Sequence, residues 1–174
     1  ASDWSSDVCS SDLMNTASLD HAAERFRYLY EAYLKDAGSR VYLSLIPDKN
    51  YFMAAPNGYP SIDYEQFAEE LQSRTGYMQY IDIFDLLELE DYYRTDAHWR
   101  QEKILDVAAR LAGGMGVELT GSYTRKTLEK PFYGVYYGQA ALPIAPEEMN
   151  YLTGGAIDTA AVYRNETSVG RGIK

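Results

Sequence analysis

Apolar residues return every three or four positions at the start of the chain, at Leu19, Ala22, Phe26, Leu29 or Tyr30, and Tyr33 or Leu34. That spacing predicts an amphipathic helix from Leu19 to about Lys35, with Gly38 as its stop. Val41-Tyr42-Leu43-Ser44-Leu45-Ile46 is instead a nearly continuous apolar, β-prone run closed by Pro47, the pattern of a strand buried on both faces. Pro47-Asp48-Lys49-Asn50-Tyr51-Phe52 then reads as a loop leaving the carboxyl end of that strand, where open α/β sheets place their ligand crevices. Asp48 and Lys49 are candidate binding residues on that ground, although Pro, Asp and Asn also make an ordinary solvated turn.

Asp63 followed by Gln66 has the form of a helix start, and Tyr64, Phe67 and Leu71 would be the buried face of a helix running to about Arg74. Tyr80-Ile81-Asp82-Ile83-Phe84 reads as a second strand. Ile104, Leu105, Ala108 and Leu111 keep helical spacing as far as Gly113-Gly114, with Asp106 and Arg110 four apart as a surface pair. Beyond Gly116 the segments Pro131 to Gly138, Tyr151 to Thr153 and Thr159 to Tyr163 are short, Tyr-rich and broken by Gly and Pro. They predict small antiparallel strands, a β excursion spanning 117–165 on an α/β core.

Composition narrows the function classes. At 174 residues and 46% hydrophobic the chain suits one domain with a real core. A net charge of −10 without a basic stripe excludes a nucleic-acid partner. Residues 1–13 alternate Ser and Asp, show no apolar period and hold the single cysteine, Cys9. They resemble a translated sequencing adapter and are set apart from the fold, which leaves 14–174. The remainder has no Cys and only His21 and His98, so neither a disulfide framework nor a zinc site is expected, and no cofactor is implied. The 17 tyrosines suit strands and half-buried faces, and would also suit a carbohydrate surface.

The chemistry concentrates in Tyr92-Tyr93-Arg94-Thr95-Asp96-Ala97-His98-Trp99-Arg100-Gln101. His is the side chain best suited to move protons near neutral pH, and a carboxylate on its Nδ1 would fix its tautomer. Asp96 and His98 are accordingly the candidate catalytic pair, placed by the pattern at the mouth of a helix. Asp96 serves equally well as the N-cap of that helix, with Thr95 sharing the task. Arg94 is a candidate for an anionic group or a partner of Glu90 or Asp91. Trp99 either walls the site or packs in the core. His21, among Asp20, Glu24 and Arg25, reads as a surface residue.

Glu90 to Trp99 resembles the signature of the DHHW proteins of Gram-positive bacteria, and more distantly that of the alginate O-acetyltransferase group with its SGNH-hydrolase-like fold. The likeness runs from about Val41 to Tyr163 and includes Val41 to Lys49, Tyr80-Ile81-Asp82 and Pro131 to Gly138. Ala97 stands where the first of two His residues would be. The resemblance implies a partial SGNH-hydrolase-like, flavodoxin-like three-layer sheet. It also implies that Asp96 orients His98 and that His98 is the base of a Ser-His-Asp triad. The nucleophilic Ser would lie downstream in a strand-to-loop element, and Ser122 and Ser168 both stand in polar loop contexts. The resemblance therefore implies a chain truncated at both ends, before that Ser.

The expected function is that of a fragment of a cell-surface polysaccharide O-acetyltransferase or esterase, with polysaccharide or an acyl donor as partner. Its expected setting, from the resemblance, is extracytoplasmic and membrane-associated or at the cell surface. The alternative is a non-catalytic cell-envelope module of the same fold that binds glycan or protein.

Overall fold

The computed structural model describes residues 14–141 and 143–161. The adapter-like 1–13, Tyr163 and Ser168 lie outside the described residues. The architecture is mixed α/β, with helices around two small sheets of two strands each.

The first helix, α1 (Thr16–Leu29), begins where Asn15 accepts a hydrogen bond from Ser18 N, and it runs on through a π-helical turn, Tyr30–Leu34. Of the predicted stripe Leu19 is buried and Ala22, Tyr30 and Leu34 are half-buried, while Phe26 and the alternatives Leu29 and Tyr33 face outward, and Ala23, outside the stripe, is buried. α1 packs along a later helix, α3 (Tyr64–Arg74), and Asp20 pairs with Arg74 at 2.6 Å.

Strand β1 (Tyr42–Leu43) is shorter than the apolar run that contains it. It pairs in parallel with β2 (Gln79–Tyr80), its one sheet neighbour, so the run is half-buried and Ile46 is exposed. The expected loop at 47–52 is instead the start of α2 (Lys49–Asn57), capped by Asp48, whose carboxylate accepts from Asn50 N and Tyr51 N. Asp placed directly before a helix is both a turn former and a preferred N-cap, which is why the segment reads as a loop. α3 starts as predicted, with Asp63 accepting from Gln66 N at 2.9 Å.

After β2 the chain does not continue as a strand to Phe84 but turns into short 3₁₀ segments, Phe84–Leu86 and Leu89–Asp91. This turning places Ile83 and Leu87 in the core with Val107 of α4 (Leu105–Gly114). Phe52, Leu86, Trp99, Ile104 and Leu111 close around them. Arg110 does not pair with Asp106. Its guanidinium forks onto Asp85 at 3.0 and 3.1 Å, and Asp106 accepts from the Val107 amide. Two parallel bonds to a carboxylate across the fold outdo one flexible contact along the helix.

The last part of the described chain carries an antiparallel pair, β3 (Thr124–Thr127) with β4 (Asn150–Thr153), in the register Thr124↔Thr153. Pro131 to Gly138 is not a strand: Phe132 makes one bridge to Glu147 and the chain then winds into a short helix, α5 (Val135–Ala140). Residues 159–161 make no strand either. Among the described residues no helix is long and apolar enough to cross a membrane.

A candidate acid–base site in a clamped turn

The Asp-Ala-His stretch does not open a helix. α4 begins only at Leu105, and residues 93–98 form a tight reversal between Tyr92 and Trp99, which bridge antiparallel. The amide of Tyr93 donates to His98 O at 3.0 Å and that of Arg100 to Asp91 O at 2.7 Å. Apolar anchors on both sides explain the reversal. Tyr92 and Tyr93 are buried on the way in, and Trp99 packs against Ile83, Leu87 and Val107 on the way out. The Tyr92 hydroxyl donates to Pro47 O, and burial pushes its pKa up to about 12. An Asp that accepts from an amide two residues on makes an Asx turn, whose local signature is the same as that of a helix cap.

Within the turn Asp96 is buried and both its oxygens are engaged. Oδ1 accepts from His98 N at 3.0 Å and lies 2.5 Å from His98 Nδ1, while Oδ2 accepts from Val135 N at 3.0 Å. Burial works against the charge, but the hydrogen bonds from Val135 N, the His98 ring and His98 N outweigh it. Asp96 therefore titrates below its ordinary 3.8. The His98 ring itself is 84% exposed. An ionised carboxylate at Nδ1 selects the tautomer with its proton there, which leaves the Nε2 lone pair facing outward. Among the described residues no hydroxyl is hydrogen-bonded to Nε2.

A polar clamp from distant segments fixes this geometry. Glu147 accepts from Arg94 N at 2.8 Å, Thr95 N at 2.7 Å and Thr95 Oγ1 at 2.6 Å. Thr95 is fully buried, and its Oγ1 also accepts from Gly134 N. The Glu147 carboxyl sits below its ordinary 4.5: burial opposes the charge, and the bonds from Thr95 and Arg94, with the nearby Arg100, overcome that cost. Gly134 is required by contact. A Cβ there would lie 2.1 Å from Thr95 O and 2.7 Å from Asp96 Cβ.

The remaining candidates fall in distinct places. Lys49, on the first turn of α2, reaches across to donate to Tyr93 O at 2.6 Å and Arg94 O at 3.1 Å, and it sits 5.3 Å from the centre of the Tyr136 ring. Desolvation lowers its pKa, with Glu147 and Asp96 acting in the opposite sense. Asp48 is occupied as the α2 cap and as acceptor for the Tyr64 hydroxyl at 2.5 Å. Arg94 is exposed and bonds Ala145 O, and it pairs with neither Glu90 nor Asp91. Ser122 is exposed ahead of β3, and His21 is exposed on α1.

Thus Lys49, Arg94, Asp96 and His98 gather at one turn, while Trp99 belongs to the packing beneath it. The pattern reading missed Glu147 and Gly134 as parts of the clamp. Glu147 carries no mark among 26 acidic residues, although Gly134 lies in the Pro131 to Gly138 segment on which the family likeness rests in part. No group of three or more His, Cys, Asp or Glu among the described residues is arranged to hold a metal ion. Comparison of the chain with family models, curated proteins and solved structures returned no match.

Proposed function

We propose that Asp96 and His98 are the carboxylate and base of an acyl-transfer site in a partial SGNH-hydrolase-like domain. In this reading the whole protein acts on ester groups of cell-surface polysaccharide, as an O-acetyltransferase or esterase, in an extracytoplasmic setting. The observation that carries the proposal is the 2.5 Å contact between Asp96 Oδ1 and His98 Nδ1, with the opposite ring nitrogen presented outward. The likeness of Glu90 to Trp99 to the DHHW signature and the parallel β1–β2 pair support the fold and family assigned here.

The chemistry follows from that geometry. A serine hydroxyl brought to Nε2 loses its proton to the imidazole as its oxygen bonds to the acyl carbon. The ester C–O bond then breaks, and the proton returns from Nε2 to the departing alcohol oxygen. Asp96, held ionised by its three donors, stabilises the imidazolium between the two transfers. Water or a glycan hydroxyl then gives its proton to the same nitrogen as it attacks the acyl carbon, the bond from that carbon to the serine oxygen breaks, and Nε2 returns the proton to the serine.

The test is ester turnover by the native-length protein, with p-nitrophenyl acetate and an acetylated polysaccharide as substrates. His98→Ala is expected to lower turnover by about 10² to 10⁴-fold while the melting transition is kept. Equal turnover in both proteins would sink the proposal. It would favour the glycan- or protein-binding module, in which the bonds of Asp96 to Val135 N and His98 N are the whole of its task.

A further inference from the structure

A cavity of about 470 Å³ opens beside the turn and is lined by Lys49, Arg94, Arg100 and Lys103, with Glu90 and Glu147 as its acids. Four cations around one cavity run against the chain as a whole, which carries −10. The two acids offset part of that charge and leave an excess of two cations along the lining. Both oxygens of Glu147 are engaged by Arg94 N, Thr95 N and Thr95 Oγ1. Glu90 makes no ion pair among the described residues.

The cations differ in what already holds them. Arg100 is set in place by Glu102 at 3.4 Å, by Glu148 O at 3.3 Å and by the face of Tyr93 at 5.2 Å. Lys49 is fixed by two carbonyls. Arg94 and Lys103 have no carboxylate within ion-pair distance among the described residues, and both are exposed. Arg94 is held more lightly, by Ala145 O at 3.2 Å. Cations of graded freedom around one opening form a receptor for an oxyanion: Lys49 and Arg100 cost little to order, and Arg94 and Lys103, with no carboxylate partner among the described residues, can turn to the ligand. A second cavity, of about 410 Å³, shares Lys49, Met53 and Arg94 with the first and reaches Ala97, between Asp96 and His98.

We propose that the cavity bounded by Lys49, Arg94, Arg100 and Lys103 binds a carboxylate- or phosphate-bearing ligand, and that its remaining length runs past Arg94 toward Ala97. The site stands on the cavity and its charges and does not depend on acyl transfer, so it is tested by binding alone.

The experiment is an NMR titration of the chain in low-salt buffer with two probes, inorganic pyrophosphate and trigalacturonate. At least one probe should shift the amides of Lys49, Arg94 and Lys103 at millimolar concentration, with the response weakening as salt is raised. Pyrophosphate alone would assign a phosphate ligand, trigalacturonate alone a uronate-type carboxylate, and both a general oxyanion receptor. The double variant R94Q/K103Q should bind about tenfold or more weakly. The control R125Q/K126Q, on the exposed β3, should bind as the unchanged chain does. No shift at the cavity amides with either probe would overturn the proposal, as would an equal loss in the control. Should the double variant melt early, the site of the shifts in the unchanged chain decides.

Discussion

Two regions close in sequence are held by opposite means. The core of Ile83, Leu87 and Val107 is apolar, assembled from one stretch of chain and closed by further apolar side chains. The turn from Arg94 to His98 is buried at Thr95 and Asp96, yet it is fixed by hydrogen bonds from partners up to 53 residues away. An apolar core loses stability by degrees as methyl groups are removed. A polar clamp fails more abruptly, because every deleted partner leaves a buried donor or acceptor without water to replace it.

That contrast can be broken experimentally, beginning where the effect is largest. Ile83→Ala should cost about 4 kcal/mol in urea unfolding and leave the Asp96–His98 contact intact by ¹⁵N imidazole NMR. Gly134→Ala should cost about 3 kcal/mol, because its Cβ has no room against Thr95 O, and it should disturb the imidazole signals of His98. Glu147→Ala should cost about 2 kcal/mol by orphaning the amides of Arg94 and Thr95, again with a change at His98. If Ile83→Ala disturbed His98 as much as Glu147→Ala did, core and clamp would be one unit and the distinction would fail.

Acid sharpens the comparison. Asp96 and Glu147 both have folded pKa values below their ordinary 3.8 and 4.5. Each therefore contributes stability that is present above the unfolded value and lost as pH falls through the folded one. Stability should decline once pH drops below 4.5, with the Ile83→Ala protein following the same slope and Glu147→Ala a flatter one. The smallest effect is expected at Gly138, inside α5, where a Cβ would meet nothing within 4 Å. Gly138→Ala should stabilise the protein by about 0.5 kcal/mol through helix propensity, in contrast to the cost four residues earlier.

The same contrast explains what could be read from the residues alone. α1, α3 and α4 announce themselves through apolar spacing, and α3 through Asp63 as well, because both signals are local. The contact of Asp96 with His98 is legible for the same reason, being two residues long. α2 was hidden by Asp48, whose residue type serves turns and caps alike, and the same ambiguity at Asp96 suggested a helix where the chain reverses. The clamp was hidden because a polar bond between Glu147 and Thr95 imposes no period and marks neither partner. The excess of cations at one cavity is likewise a product of folding, since Lys49 and Lys103 come together only through the turn between them.

The sequence distances within the clamp also set an order in time. Synthesis proceeds from the N-terminus at about 5–20 residues per second, and no contact can form before both of its partners have been made. The residues that close around Ile83 have all been made once Leu111 appears. Asp96 must wait for Val135, and Thr95 for Glu147, so the clamp can close only after segments 39 and 52 residues downstream have been made.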